Sequence, residues 1–242
     1  MGCDIEIEPR IFVGTMHSGE GDFQECIDMI RKQKSVCITH ILISGLPEKE
    51  AHNALWHAWR THKNEHDLFV KVDADTILID EGVLARIWRL YATNPRLTGV
   101  QAPLYDHMTD GPINGLNSFH PRVVFNDTQD DLYCDRRVDT NHDIVMRDET
   151  LPADLRPAGL HCTLANDRQA FHYGLHRALK NQAHIIARVH AAYERQRDRI
   201  RRFVLLGAAA AHNFESGRKF NYQDPEFESA FALASQEFLL DH

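Results

Sequence analysis

The segment Asp67-Leu68-Phe69-Val70-Lys71-Val72-Asp73-Ala74-Asp75 places the strongest limit on the fold. Leu68, Phe69, Val70 and Val72 form an apolar run without clean alternation, which suits a strand covered on both faces at the centre of an α/β sheet. Its polar atoms come where the run stops. Side chains alternate across a sheet, so a chain extended as far as Asp75 sends Asp73 and Asp75 to one side and Ala74 to the other. Ligands of open α/β sheets bind beyond the carboxyl ends of the strands, where this pair falls. Two hard oxygen donors there suit Mg²⁺ or Mn²⁺, ions commonly held by carboxylates together with substrate phosphates. Aspartate at a strand end is also ordinary turn chemistry, so the neighbouring segments have to add to the case.

They do so by their order. Ile11-Phe12-Val13 predicts a first strand, and residues 14–21 a flexible loop on the ligand side, in which Thr15 is a candidate contact to a base or ribose. The loop has neither the Gly-x-Gly-x-x-Gly fingerprint nor a P-loop ending, and it contains no Lys or Arg. Asp22 with Glu25 predicts a capping box, and Phe23, Cys26, Ile27 and Ile30 follow at helical spacing. Residues 38–43 read as a second strand and residues 48–66 as a second helix with Ala51, Leu55 and Trp59 on its buried stripe. After the carboxylate strand, Asp80 is expected to cap a helix carrying Val83, Leu84, Ile87 and Tyr91. This alternation predicts an α/β fold with a largely parallel sheet.

The later chain changes character. Residues 100–104, 123–125 and 144–146 read as strands, and the Asp, Gly, Pro and Asn residues from 106 to 121 read as a substrate-facing loop region. Asn166 with Gln169 predicts a capped helix through Phe171, Leu175 and Leu179. One helix is expected over residues 182–211, its basic middle forming a solvated face, and another over residues 225–240. The expected domains are 1–180 and a helical extension, 181–242, packed on it.

Composition narrows the function. With 27 Lys and Arg against 35 Asp and Glu, the net charge of −8 disfavours a nucleic acid partner. The longest apolar run, residues 203–211, is too short to span a membrane, and the five cysteines contain no Cys-x-x-Cys pair. A reducing, cytoplasmic setting is expected.

The first strand and loop, the capped helix, the second strand and then Lys71-Val72-Asp73-Ala74-Asp75 resemble the nucleotide half of GT-A fold glycosyltransferases, most closely family 2. The resemblance covers residues 9–180 and is most specific over residues 9–92. It implies a Rossmann-like, mostly parallel sheet flanked by helices. It also implies an Mn²⁺- or Mg²⁺-dependent transfer, with inversion, from a UDP- or GDP-type sugar donor to an acceptor hydroxyl. Carried over residue by residue, Asp75 becomes the direct metal ligand and Asp73 the nucleotide contact. Lys71 shares the phase of Asp73 and is a candidate phosphate contact. Ser44 stands where many members carry an acid that holds the base. Asp167, opening a late helix, is the candidate catalytic base, and His161 just before that helix a second metal ligand. Two other readings stay open: a nucleotidyltransferase on a similar sheet, and a non-catalytic sugar-binding or assembly module.

Overall fold

The structure, a computed structural model, describes residues 8–135 and 139–240, and of Leu240 its backbone. Three parallel strands begin it: β1 (Arg10–His17), β2 (Cys37–Ser44) and β3 (Leu68–Lys71). Their alternation divides the apolar residues between two cores. Ile11, Val13, Leu68 and Val70 face α1 (Phe23–Arg31) and α3 (Val83–Thr93), which add Cys26, Ile30, Leu84 and Ile87. Phe12 and Phe69 face α2 (Glu48–His62) on the other side, where Trp59 stacks on Phe69 at 5.2 Å and Trp56 on Phe125 at 4.3 Å. Covered by aliphatic side chains on one face and by these large rings on the other, β3 is the spine of the molecule.

Among the described residues seven further strands follow: β4 (Thr76–Leu78), β5 (Gly99–Asp106), β6 (Gly111–Phe119), β7 (Val124–Phe125), β8 (Asp139–Thr140), β9 (Val145–Arg147) and β10 (Gly159–His161). The main sheet runs β2-β1-β3-β6-β5-β10-β4, with β9 beside the start of β5. Only β6 and β4 run against the rest, so the mostly parallel α/β sheet expected from the sequence is the one observed. β7 and β8 form a separate ribbon.

Three local expectations are corrected. The Gly- and Asn-rich stretch read as loop contains the long strand β6, which pairs antiparallel with β5 across an irregularity at Ala102/Pro103; its tight turn and bulge residues hid the alternation. Asp22 and Asp80 precede α1 and α3, but neither side chain caps its helix. Asp80 instead accepts from Gly82 N and from the Arg86 guanidinium.

The third correction concerns the C-terminal helices. The helix expected over 182–211 is two, α5 (Ala183–Gln196) and α6 (Arg199–Ala210), broken at Arg197 in the left-handed region (φ 51°) and restarted by Asp198, which accepts from Arg201 N at 2.9 Å. Arg201, read as part of a solvated face, is 2% exposed and donates to the carbonyl of Met108 and to Gln196 and Asp198. It ties the extension to the turn after β5. α4 (Asp167–Leu179) and α6 cross so closely that a Cβ at Gly174 would lie 1.8 Å from the Val204 carbonyl oxygen and one at Gly207 2.0 Å from that of Phe171. α4, α6 and α7 (Pro225–Leu240) therefore share one apolar core around Phe171, Phe203 and Phe227. Among the described residues no helix is long and apolar enough to cross a membrane. Cys26, Cys37, Cys134 and Cys162 are free thiols, and Cys3 lies outside the described residues.

Candidate active site

β3 ends at Lys71, earlier than the sequence suggests, and Asp73 to Thr76 makes a tight turn closed by Thr76 N donating to the Asp73 carbonyl at 2.9 Å. The two acids therefore meet across a turn and not by strand alternation, and both still line the same cleft. This cleft, of ≈ 390 Å³, opens beyond the carboxyl ends of β1 and β3. Lys71, Glu20, His161 and Arg177 share its wall with them. A smaller recess of ≈ 150 Å³ continues past Asp75 between Cys162, Gln169, Tyr173 and Lys180.

Strand pairing places His161 beside Asp75. β10 runs antiparallel to β4 with His161 opposite Thr76, and parallel to β5 with His161 opposite Asp106. The imidazole is thus gripped from both ends. Its Nε2 lies 3.3 Å from Asp75 Oδ2, and its Nδ1 donates to Asp106 Oδ1 at 2.8 Å. Asp106 is fully buried and is held in turn by the Thr109 main-chain N–H at 2.9 Å and hydroxyl at 2.6 Å. A buried carboxylate on one ring nitrogen fixes the tautomer and points the other nitrogen at whatever lies beside Asp75. The Cys162 thiol donates to Asp75 Oδ2 at 3.6 Å and brings a third ligand type to the place.

The electrostatics are those of a tight ion pair. Burial works to raise the Asp75 carboxyl, but the charge and hydrogen bond of His161, helped by the Cys162 thiol, outweigh it and hold the group at about 2. Burial likewise opposes the imidazolium, yet the acidic neighbours Cys162, Asp75 and Asp106 raise His161 well above the ordinary histidine range. Asp75 Oδ1 is buried and has no hydrogen-bond partner among the described residues. An orphaned anionic oxygen is costly, and here it sits next to an oriented imidazole and at a cavity wall. The donor set Asp75 and His161 therefore fits a divalent cation, which can replace the proton on His161. Asp73 is less available, since Lys71 Nζ holds its Oδ1 at 2.5 Å.

The other expected site residues are not brought to the cleft. Thr15 is buried between β1 and β2, with its hydroxyl 3.0 Å from His40 Nε2, and Met16 lines the cleft in its place. Ser44 is exposed at the end of the edge strand β2. Asp167 opens α4 after Asn166, which caps it by accepting from Gln169 N, but its carboxylate is forked by the Arg199 guanidinium at 2.6–3.1 Å. None of the three lines the cleft or its recess.

One acid that the sequence did not single out, Glu20, lines the cleft instead, and a second, Asp22, is fully buried within reach of the Asp75 charge. Glu20, in the loop after β1, lines the cleft and accepts from Ser18 N at 2.7 Å; burial raises it to about 7 against that bond, with the charges of Asp75 and Asp73 adding to the rise. Asp22 accepts from Leu164 N at 2.7 Å and leaves Oδ2 buried without a partner. Burial raises it from 3.8 to about 6, against the Leu164 bond and with the help of the Asp75 charge.

Because the native carboxyl of Asp22 holds its proton more tightly than the unfolded one, ionising it costs stability between about pH 4 and pH 6, roughly 3 kcal/mol in all. Asp22→Asn keeps the acceptor for Leu164 and removes that cost. Urea unfolding in chelator should show the stability of the variant gaining on that of the unaltered chain as pH rises through this window. Parallel pH curves for the two proteins would show that Asp22 titrates normally.

No family model matches the chain, and no curated protein matches it. Among solved structures it is similar to a mannosyltransferase from Pyrobaculum calidifontis in complex with GDP-Man and Mn²⁺, at 14% identity and TM-score 0.37, over 98% of this chain and 88% of that one. A protein from STIV is similar at 11% identity and TM-score 0.35 over 46% of this chain. A glycosyltransferase involved in the glycosylation of the major capsid of PBCV-1 is similar at 12% identity and TM-score 0.33, also over 46%. The chain spans 64% and 60% of the length of the last two. At such distances function has to be argued from the side chains of the cleft.

Proposed function

We propose that the chain is a glycosyltransferase that binds a nucleoside diphosphate sugar, with Mn²⁺ or Mg²⁺, in the cleft beyond β3 and passes the sugar to an acceptor hydroxyl. The observation that carries this reading is the orphaned, buried Asp75 Oδ1 beside an imidazole that Asp106 orients from behind. Asp75 and His161 would hold the cation. When bound, it supplies positive charge where negative charge develops on the departing diphosphate.

The chain's own residues do the rest. Arg177 and Lys180 border Asp75, and the Arg177 guanidinium is steadied 4.8 Å above the Tyr173 ring with an arm to Gln182. These cations would pair with phosphate oxygens of the donor. Lys71 fixes Asp73 at the mouth of the cleft, where it remains the carboxylate for a ribose hydroxyl. For the proton of the attacking hydroxyl, Glu20 is better placed than Asp167, because it lines the cleft and is poised near neutrality.

The reading is tested by thermal unfolding of the full chain with UDP, GDP and their sugars, each with and without Mn²⁺. A ligand that binds the folded state raises its apparent stability, by about 2.7 kcal/mol at a hundred times its dissociation constant. The expected result is a shift that needs nucleotide and metal together, and release of free nucleotide from at least one donor. Equal unfolding temperatures throughout the panel would remove the proposal.

A further inference from the structure

A second set of ligand atoms, none of them shared with the Asp75 cluster, borders the same cleft. Glu48 and His52 stand one turn apart on α2, so their side chains share one helix face, and both line the cleft. Cys134 approaches that face from the loop after β7. Ligand atoms of the three residues lie within 4.8 Å of one another.

The cluster is built, not accidental. The Cys134 loop is sewn to α2 at neighbouring positions: Asn53 accepts from Thr128 N at 2.8 Å and donates back to its carbonyl, and Lys49 pairs with Asp131 at 2.5 Å. His52 is 4% exposed, and its Nδ1 lies 2.9 Å from the Glu48 main-chain carbonyl. A carbonyl only accepts, so Nδ1 carries the hydrogen and the lone pair of the neutral ring is on Nε2. Among the described residues that buried Nε2 has no partner. An imidazole fixed through one nitrogen to a backbone carbonyl, with the other bare and a carboxylate and a thiol close by, is the usual preparation of a metal-binding histidine.

We propose that Glu48, His52 and Cys134 form a second metal site, of zinc type, with its open position facing the cleft. Mixed carboxylate, imidazole and thiolate ligation suits Zn²⁺, and three protein ligands leave the fourth position for water or a substrate atom. On binding, the Cys134 thiol gives its proton to solvent and the sulfur bonds the metal as thiolate. An incoming ion must displace Lys219, whose Nζ donates to the Glu48 carboxylate. Lys219 is therefore a built-in competitor of the metal.

Co²⁺ titration of the chelator-stripped full chain tests this, because a cysteine-ligated Co²⁺ shows a near-ultraviolet thiolate charge-transfer band that carboxylate and imidazole sites lack. The expected result is a band that saturates at about one equivalent and is bleached by Zn²⁺. Cys134→Ser should abolish it, Cys162→Ser should leave it, and His52→Ala should weaken Co²⁺ binding at least ~100-fold. Lys219→Met should tighten binding, an outcome that a purely structural cluster does not produce. Absence of the band in the unaltered chain overturns the proposal. So does a band that survives Cys134→Ser in a variant of unchanged circular dichroism, or one lost in Cys162→Ser, which would put the ion beside Asp75.

Discussion

Asp75→Asn should lose at least ~3 kcal/mol of transition-state stabilisation, about a hundredfold or more in rate, together with the metal dependence of donor binding. The substitution is nearly isosteric, so what changes is charge. One buried oxygen without a partner becomes part of a neutral amide, and the anion that faces His161 is gone. In the unaltered protein the pairing with His161 holds Asp75 at about 2. That pairing contributes stability above the ordinary aspartate range and loses it only as pH falls through the lowered value, so at neutral pH the variant should also be less stable. Calorimetry therefore has to accompany kinetics: donor titrations with and without Mn²⁺, on protein shown to be folded at the assay temperature. If the variant transfers sugar at the normal rate, the cation is not held at this place.

Much of this centre was legible because it depends on local pattern. The apolar run of β3 identifies a central strand, and helical spacing and the Asn166 cap locate α1 and α4. The proximity of His161 to Asp75 was implied only by resemblance, and its physical cause is long-range: β10 must pair with both β4 and β5. Neither β4 nor β10 is long enough to announce itself, at three residues each. Asp106 was hidden for the same reason, since an acid at a strand end reads as turn chemistry until the partner strand is known. Thr15 was misplaced by the phase of β1, which turns its hydroxyl toward His40. The pairing of Asp167 with Arg199 depends on the break at Arg197, where two helices replace the expected one.

That pairing decides the last expectation, which sets Glu20→Gln against Asp167→Asn. Removing a general base costs about a hundredfold to ten-thousandfold in rate. The larger loss should fall on Glu20→Gln, with donor affinity within a few-fold of normal, because Glu20 faces the cleft while Asp167 is engaged by a guanidinium outside it. The pH profile supplies a second readout. Burial and the charges of Asp75 and Asp73 bring Glu20 to about 7, so the rate should rise with pH on a limb at or below that value, since a bound cation offsets the two aspartates. Glu20→Gln should erase the limb. Asp167→Asn should preserve it and act chiefly through the lost anchor to Arg199 on α6, seen as lowered stability more than lowered turnover. The opposite pattern, with transfer lost in Asp167→Asn while donor binding and stability hold, would return the proton to Asp167 and require Arg199 to release it when the acceptor binds.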